Sequence, residues 1–173
     1  KHKIKFKYHF KNYKDLMMCK DIDSVYIGTL NNTHHDLIIS CIESNKNILC
    51  EKPFVINFEQ AKNIRDKLKK SKIFFLEAIA YRSHPQIKHV IELLQGNAIG
   101  KIFKIESSFG FNAGQPKDDS RLFNKKLGGG SILDLGCYPV SMSNLIVSAT
   151  SKTQINAPDI NSVTGKIYKS GVD

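Results

Sequence analysis

Three short apolar runs decide the fold: Ser24-Val-Tyr-Ile-Gly28, Asn47-Ile-Leu-Cys50 and Lys72-Ile-Phe-Phe-Leu76. Each is of strand length, and the turn-like Asp21-Ile-Asp23 precedes the first. They read as buried strands. Between the first two, Leu37, Ile38, Cys41 and Ile42 recur at helical spacing, and between the second and third Phe58, Ala61, Ile64 and Leu68 do the same. Each interval therefore carries one amphipathic helix. Asn57 with Gln60 three residues on has the spacing of a capping box at the start of the second helix. The strand starts lie 23 and 25 residues apart, which suits right-handed parallel crossovers. The expectation is an α/β fold, a β-α-β-α-β run whose parallel sheet has helices packed on it.

Outward from this run the pattern changes. After residue 82, Ile87, Val90, Ile91 and Leu94 mark a helix that Gly96 can end in a left-handed conformation. Phe103, Ile105, Ser107, Phe109 and Phe111 then alternate with Lys104, Glu106, Ser108 and Gly110, as in a strand of an antiparallel sheet with one wet face. A polar loop spans 112–126. A helix is expected from Ser131 to about Ser148, its first turn weakened or kinked by Gly136 and Pro139. Only Ser162 to Lys169 resembles a strand beyond it. Residues 1–82 and 83–173 are thus expected to form two domains, the second being the start of an α+β open-sheet domain. A sheet with so few strands is unstable alone and the chain starts abruptly at Lys1, so a fragment at both ends is expected.

Composition narrows the class. The 173 residues are 41% hydrophobic and 24% charged, with a net charge of +10, which is globular and excludes a collagen, a coiled coil or a mostly disordered chain. The longest nearly apolar run, Ile73 to Tyr81, falls well short of the ~20 residues of a membrane helix, so no membrane partner is expected. The lysine-rich start has no apolar signal segment, which favours a cytoplasmic, reducing location. Cys19, Cys41, Cys50 and Cys137 have no CxxC pair or zinc spacing and read as buried thiols; no metal site is expected. Most of the excess charge sits in residues 1–20, where seven lysines face the single Asp15. Nucleic-acid binding would favour arginine, yet the chain has only Arg65, Arg82 and Arg121; a solvated lysine-rich face is the better reading.

In an open parallel sheet, ligands bind beyond the carboxyl ends of the strands. Those ends deliver Thr29-Leu-Asn31-Asn32-Thr33-His34, Glu51-Lys52-Pro53 and Glu77 to Arg82, three polar stretches on one edge. Alone, His34 reads equally as a helix-start histidine and Lys52 as a surface lysine before a turn. The fourth piece is Gly128-Gly-Gly-Ser131-Ile-Leu-Asp134-Leu-Gly-Cys-Tyr138-Pro139. Asp134 and Tyr138 are four apart and share a face if the segment is helical. Ser131-x-x-Asp134 is also a capping-box spacing, and Tyr138 also reads as an ordinary half-buried aromatic.

These four motifs, in this order and at these intervals, resemble the Gfo/Idh/MocA oxidoreductases. Within the family the resemblance is to the branch of dimeric dihydrodiol dehydrogenase, D-xylose dehydrogenase and glucose-fructose oxidoreductase. It runs from Tyr13-Lys-Asp-Leu16 to Gly171-Val-Asp173. The resemblance implies a Rossmann domain that binds NAD or NADP through Thr29, Asn31, His34, Glu51, Lys52 and Arg82, with a cis Lys52–Pro53 bond. It also implies a C-terminal domain that backs the active site and forms a homodimer. Tyr138 would be the acid/base, with Lys52 beside it and Asp134 in support. The sequence departs from the pattern in lacking the glycine-rich pyrophosphate turn, in having Leu30 where Pro is usual, and in ending before most of the second sheet.

The chemistry agrees with these residue types. Oxidising a secondary alcohol moves hydride to nicotinamide while a base takes the hydroxyl proton. A phenol with a pKa of ~10 is a weak base precursor near neutral pH, and an ammonium within ~4–6 Å favours the phenolate. Lys52 is the candidate cation, with Asp134 or His34 fixing its orientation. The expected activity is hydride transfer at a carbinol or carbonyl carbon of a sugar or cyclic diol by the full-length parent, this chain alone being inactive. The alternatives are a non-catalytic binding or assembly member of the same fold and a nucleic-acid binder using Lys5 and Lys7 with Phe6, Tyr8 and Phe10.

Overall fold

A computed structural model describes residues 5–151 and 159–173. They divide into two compact units. The first runs to Thr29 and resumes over Thr33–Glu77; the second takes Leu30–Asn32 and everything from Ala78 onward.

The first unit contains α1 (Tyr13–Met18), β1 (Ser24–Ile27), α2 (Asn31–Glu43, whose first two residues belong to the second unit), β2 (Asn47–Glu51), α3 (Phe58–Leu68) and β3 (Phe75–Ala78, whose last residue belongs to the second unit). The strands form one sheet in the order β1-β2-β3. β1 and β2 are parallel, with Ser24 opposite Asn47 and Ile27 opposite Cys50, and Ile48 N–H donates to the Phe74 carbonyl at 2.8 Å. The core packs Ile27, Ile48 and Cys50 against Ile38, Cys41 and Ile42 of α2 and Ile64 of α3.

Local chemistry explains where these elements start and stop. Asn57 caps α3, its side chain accepting from Gln60 N–H at 2.9 Å. The return bond of the expected capping box goes one residue further back, from Ile56 N–H to Gln60 Oε1 at 3.1 Å. The short α1 was not apparent from periodicity; Asn12 caps it. Buried Lys46 closes its far end by donating to the carbonyls of Cys19 (2.7 Å) and Ile22 (2.6 Å).

The strands differ from expectation in being buried on one face only. Val25, Ile27, Ile48 and Cys50 point to the helices, whereas Tyr26 (60% exposed), Leu49 and Leu76 lie open on the other face. Unbroken apolar runs anticipate cover on both faces, and among the described residues nothing covers the second. Of the cysteines, Cys41 and Cys50 are buried, which pushes their thiols up to about 11 and about 12, whereas Cys19 and Cys137 are half-buried.

The second unit contains a 3₁₀ turn over Ala80–Ser83, α4 (Pro85–Gln95), a 3₁₀ turn over Lys125–Leu127, a π-helical turn over Ile132–Gly136 and α5 (Cys137–Thr150). His84 caps α4 and Pro85 occupies its first turn. The left-handed residue at its end is Asn97 (φ 59°), not Gly96 (φ −74°). Helical bonding continues through Gly96, so Asn97 N–H reaches Leu94 and Ala98 N–H reaches Leu93, a Schellman closure that Asn tolerates. The widened π turn leading into α5 is the weakened first turn expected from Gly136 and Pro139.

Two expected strands are not formed. Residues 101–111 and 162–169 have no ladder partner among the described residues, and a lone strand leaves half its backbone groups unpaired however well its side chains alternate. Phe103, Phe109 and Phe111 are correspondingly exposed, and the second unit shows no sheet among its described residues. The 26 residues Lys125–Thr150, which include the π turn and α5, are long and apolar enough to cross a membrane by length and composition alone, a stretch that a count of unbroken apolar runs passes over. Core helices of soluble proteins meet the same criterion.

Candidate active site

The first unit gathers its candidates where β1 and β2 end. His34 is fully buried in the first turn of α2, with Nδ1 2.9 Å from the Pro53 carbonyl and Nε2 3.2 Å from the Thr29 carbonyl. Glu77, at the end of β3, accepts from Phe54 N–H at 3.0 Å. The Lys52-Pro53-Phe54 turn is therefore held from two sides, and its Lys52–Pro53 bond is cis as the resemblance implied. Lys52 is half-buried. Its neighbour Glu51 accepts from Tyr26 Oη at 2.8 Å, which draws the Tyr26 phenol above its ordinary value. The hydroxyls of Thr29 and Thr33 share a hydrogen bond of 2.7 Å.

With both ring nitrogens on backbone carbonyls, His34 ties the β1 turn to the β2 turn rather than facing outward to exchange protons. Glu77 is the other half of that clamp. Burial pushes its carboxyl above the ordinary value, opposed by the Phe54 hydrogen bond and more weakly by His34. A carboxyl raised in this way stabilises the fold fully below its unfolded value and loses that contribution as pH rises through its folded value. Glu77→Gln keeps the acceptor for Phe54 without the charge. It is expected to leave the melting temperature unchanged at acid pH and to raise it by a few degrees above neutrality. Thermal melts across that range check this, and an equal shift at both ends would refute it.

The second unit holds the remaining candidates. Asn31 Nδ2 donates to the Gly128 carbonyl at 2.9 Å. Buried Asp134 does not form a capping box with Ser131; its carboxylate pairs with the Arg121 guanidinium at 3.0 Å. Tyr138 is half-buried, its ring 5.0 Å edge-on from Phe109 and 6.2 Å from Tyr81. Tyr81 is itself anchored by its hydroxyl to Ser141 Oγ at 2.9 Å. Arg82 is exposed on the 3₁₀ turn. A recess of about 110 Å³ opens beside Asp134, lined also by Phe111, Leu122, Phe123, Ser131 and Asp173. Tyr138 is not among its walls.

Tyr26, Phe109, Arg121 and Asp173 carry no signal in spacing, because each reaches its partner across a long stretch of chain. Glu77 and Tyr81 lay in a motif already singled out, without an assigned role.

A nicotinamide cofactor meets one direct test here. Asn32 Oδ1, in the first turn of α2, is buried with no hydrogen-bond partner, an acceptor that a carboxamide N–H would satisfy. That one acceptor fits the nicotinamide end of the cofactor; the glycine-rich turn for its pyrophosphate is not in this sequence.

Two family profiles match in tandem, one described as the oxidoreductase family with an NAD-binding Rossmann fold over residues 1–78, the other as the GFO/IDH/MocA C-terminal domain over residues 87–165. The chain belongs to the Gfo/Idh/MocA family. It is 31% identical over 164 residues to trans-1,2-dihydrobenzene-1,2-diol dehydrogenase of Xenopus tropicalis, covering 95% of this chain and 47% of that protein. It is 28% identical to the NADP-dependent D-xylose 1-dehydrogenase of Hypocrea jecorina, covering 95% and 44%. Levoglucosan dehydrogenase solved with NADH and levoglucosan superposes with a TM-score of 0.72 at 25% identity, over 82% of this chain and 39% of that one. KijD10, a 3-ketoreductase from Actinomadura kijaniata solved with NADP, superposes at 0.65 and 26% identity, over 80% and 42%. The chain spans about half the length of the curated relatives it matches.

Proposed function

We propose that this chain is part of an NAD(P)-dependent oxidoreductase that transfers hydride between nicotinamide and a carbinol or carbonyl carbon of a sugar or cyclic diol. The observation that carries the reading is the framing of Tyr138: a phenol set between two aromatic rings on the helix whose preceding turn presents buried Asp134. The named activities of the relatives give the substrate class. A cytoplasmic location and a homodimer of the full-length protein belong to the same reading.

The bound cofactor supplies the hydride acceptor or donor. Everything else falls to the chain. Tyr138 Oη takes the hydroxyl proton during oxidation and returns it during reduction. Lys52 is assigned as the cation that favours the phenolate, with His34 and Glu77 fixing the turn that carries it. Arg121 holds Asp134 in a single orientation. Thr29, Asn31, Glu51 and Arg82, with Lys52 and His34, are assigned to the cofactor side.

The test is to express the complete reading frame and follow formation of reduced nicotinamide with NAD and NADP against a panel of aldoses and cyclic diols. Substrate-dependent reduction is expected. Cofactor binding without turnover of any member of the panel would instead support a non-catalytic binding role.

A further inference from the structure

The segment Gly171-Val172-Asp173 reaches back to the start of the helix that carries Asp134 and Tyr138. Asp173 Oδ2 accepts from Ile132 N–H at 2.7 Å and from Ser131 Oγ at 2.8 Å, and its own carbonyl accepts from Ser131 N–H at 3.1 Å. Three donors at the opening of that helix are thus satisfied by one residue about forty positions later in the chain. The helix supplies none of its own, since Ser131 makes no side-chain cap.

That segment is fixed in turn. Val172 is buried at 4% exposure. A reverse turn joins Tyr168 N–H to the Val172 carbonyl at 2.7 Å and Gly171 N–H to the Tyr168 carbonyl at 2.8 Å. Tyr168 packs edge-on against Phe123 at 5.3 Å, and Ser170 Oγ donates to the Phe123 carbonyl. The segment holding Phe123 also supplies Arg121 to Asp134 and accepts Gly130 N–H at the Leu122 carbonyl, 2.9 Å. Glycines make this approach possible. A Cβ on Gly129 would lie 2.7 Å from the Arg121 and Leu122 carbonyl oxygens, and one on Gly130 would collide with the Asp173 carboxylate.

We infer that Asp173 is a positioning residue: it clasps the first turn of the Asp134–Tyr138 helix and so sets where the acid/base phenol stands. The inference deepens the proposed function and rests on its reading of Tyr138. An error of about 1 Å in a reacting group can cost on the order of a hundredfold in rate, and this π-helical turn, held further along by the Arg121–Asp134 pair, has no side-chain cap of its own at its opening.

The test uses the full-length protein with Asp173→Ala and Asp173→Asn. Asparagine retains a carbonyl oxygen for Ile132 N–H and Ser131 Oγ; alanine retains none. In the alanine variant, amide exchange at Ile132 should accelerate at least tenfold. Its kcat should fall tenfold or more, with the KM for cofactor within about twofold. The asparagine variant should recover most of both. Unchanged Ile132 exchange in Asp173→Ala overturns the clasp whatever the activity. An asparagine variant no better than alanine, or a parallel loss of kcat and cofactor affinity, overturns the positioning role. If Asp173→Ala does not fold, the asparagine variant decides by the same two readouts. Faster exchange in a protein whose wild type turns over no substrate places the failure in the acid/base reading instead.

Discussion

Tyr138→Phe in the full-length protein should lower turnover by about 10²–10⁴-fold, the usual contribution of a positioned general acid or base, while leaving cofactor affinity within a few-fold. In barrier terms this is roughly 3–5 kcal/mol. The substitution removes one oxygen and keeps the ring that packs against Phe109 at 5.0 Å and Tyr81 at 6.2 Å. The frame should therefore survive and the loss should be chemical. Steady-state turnover with a parallel titration of NAD and NADP checks this. A phenylalanine variant with wild-type turnover would remove Tyr138 from the mechanism. A variant that loses cofactor affinity in step with turnover would make it a binding residue.

The aromatic frame around Tyr138 concerns placement and not proton transfer. Tyr81 touches Ser141 through its hydroxyl and Tyr138 through its ring, so its role in this reading is support. Asp134 is also engaged by a protein partner, and the recess it lines is walled by residues other than Tyr138. The two motif residues therefore do different work. In the proposed reading Tyr138 presents its phenol for proton transfer, and Asp134, paired with Arg121, secures the turn that carries it.

How much of this could be read from the sequence depends on the range of the interaction concerned. β1 and β2 were legible to within a residue, and α3 in full, because strand runs and a capping asparagine act over a few positions. α1 escaped because six residues make under two turns of periodicity. The Phe103–Phe111 alternation was correctly seen as a pattern but gave the wrong element, since a strand exists only with a partner and none is present among the described residues. The same distance rule governs the site. The motif residues were found on consecutive stretches, whereas the Arg121–Asp134 pair, the Tyr26–Glu51 bond and the Asp173 clasp are tertiary facts. The capping-box reading of Ser131 and Asp134 shows the reverse error: a local pattern is available, and an exposed guanidinium, Arg121, and a distant carboxylate, Asp173, displace it.

His34→Ala should be the most damaging single substitution in the first unit, lowering its stability by about 3–5 kcal/mol. The ring is fully buried, with its two nitrogens against the Pro53 and Thr29 carbonyls. A neutral imidazole has one N–H to donate, so alanine leaves one of those carbonyls without its donor, at about 1–3 kcal/mol for a buried group left unsatisfied. It also opens a cavity beside Ile38 and Cys41, and large-to-small changes in a core cost about 2–5 kcal/mol. The two penalties are not fully additive, because water admitted to the cavity can satisfy a carbonyl. Even the lower figure is a large share of the ~5–15 kcal/mol that holds a typical domain. The effect should also reach function, since the carbonyl that His34 grips belongs to Pro53, next to Lys52, while Glu77 holds only the other side of that turn. Denaturant unfolding of the chain, followed by cofactor titration of the full-length variant, tests both halves. A loss below about 1 kcal/mol would mean that the β1 and β2 turns are held by their own backbones, and that His34 is a buried ring with no clamping role.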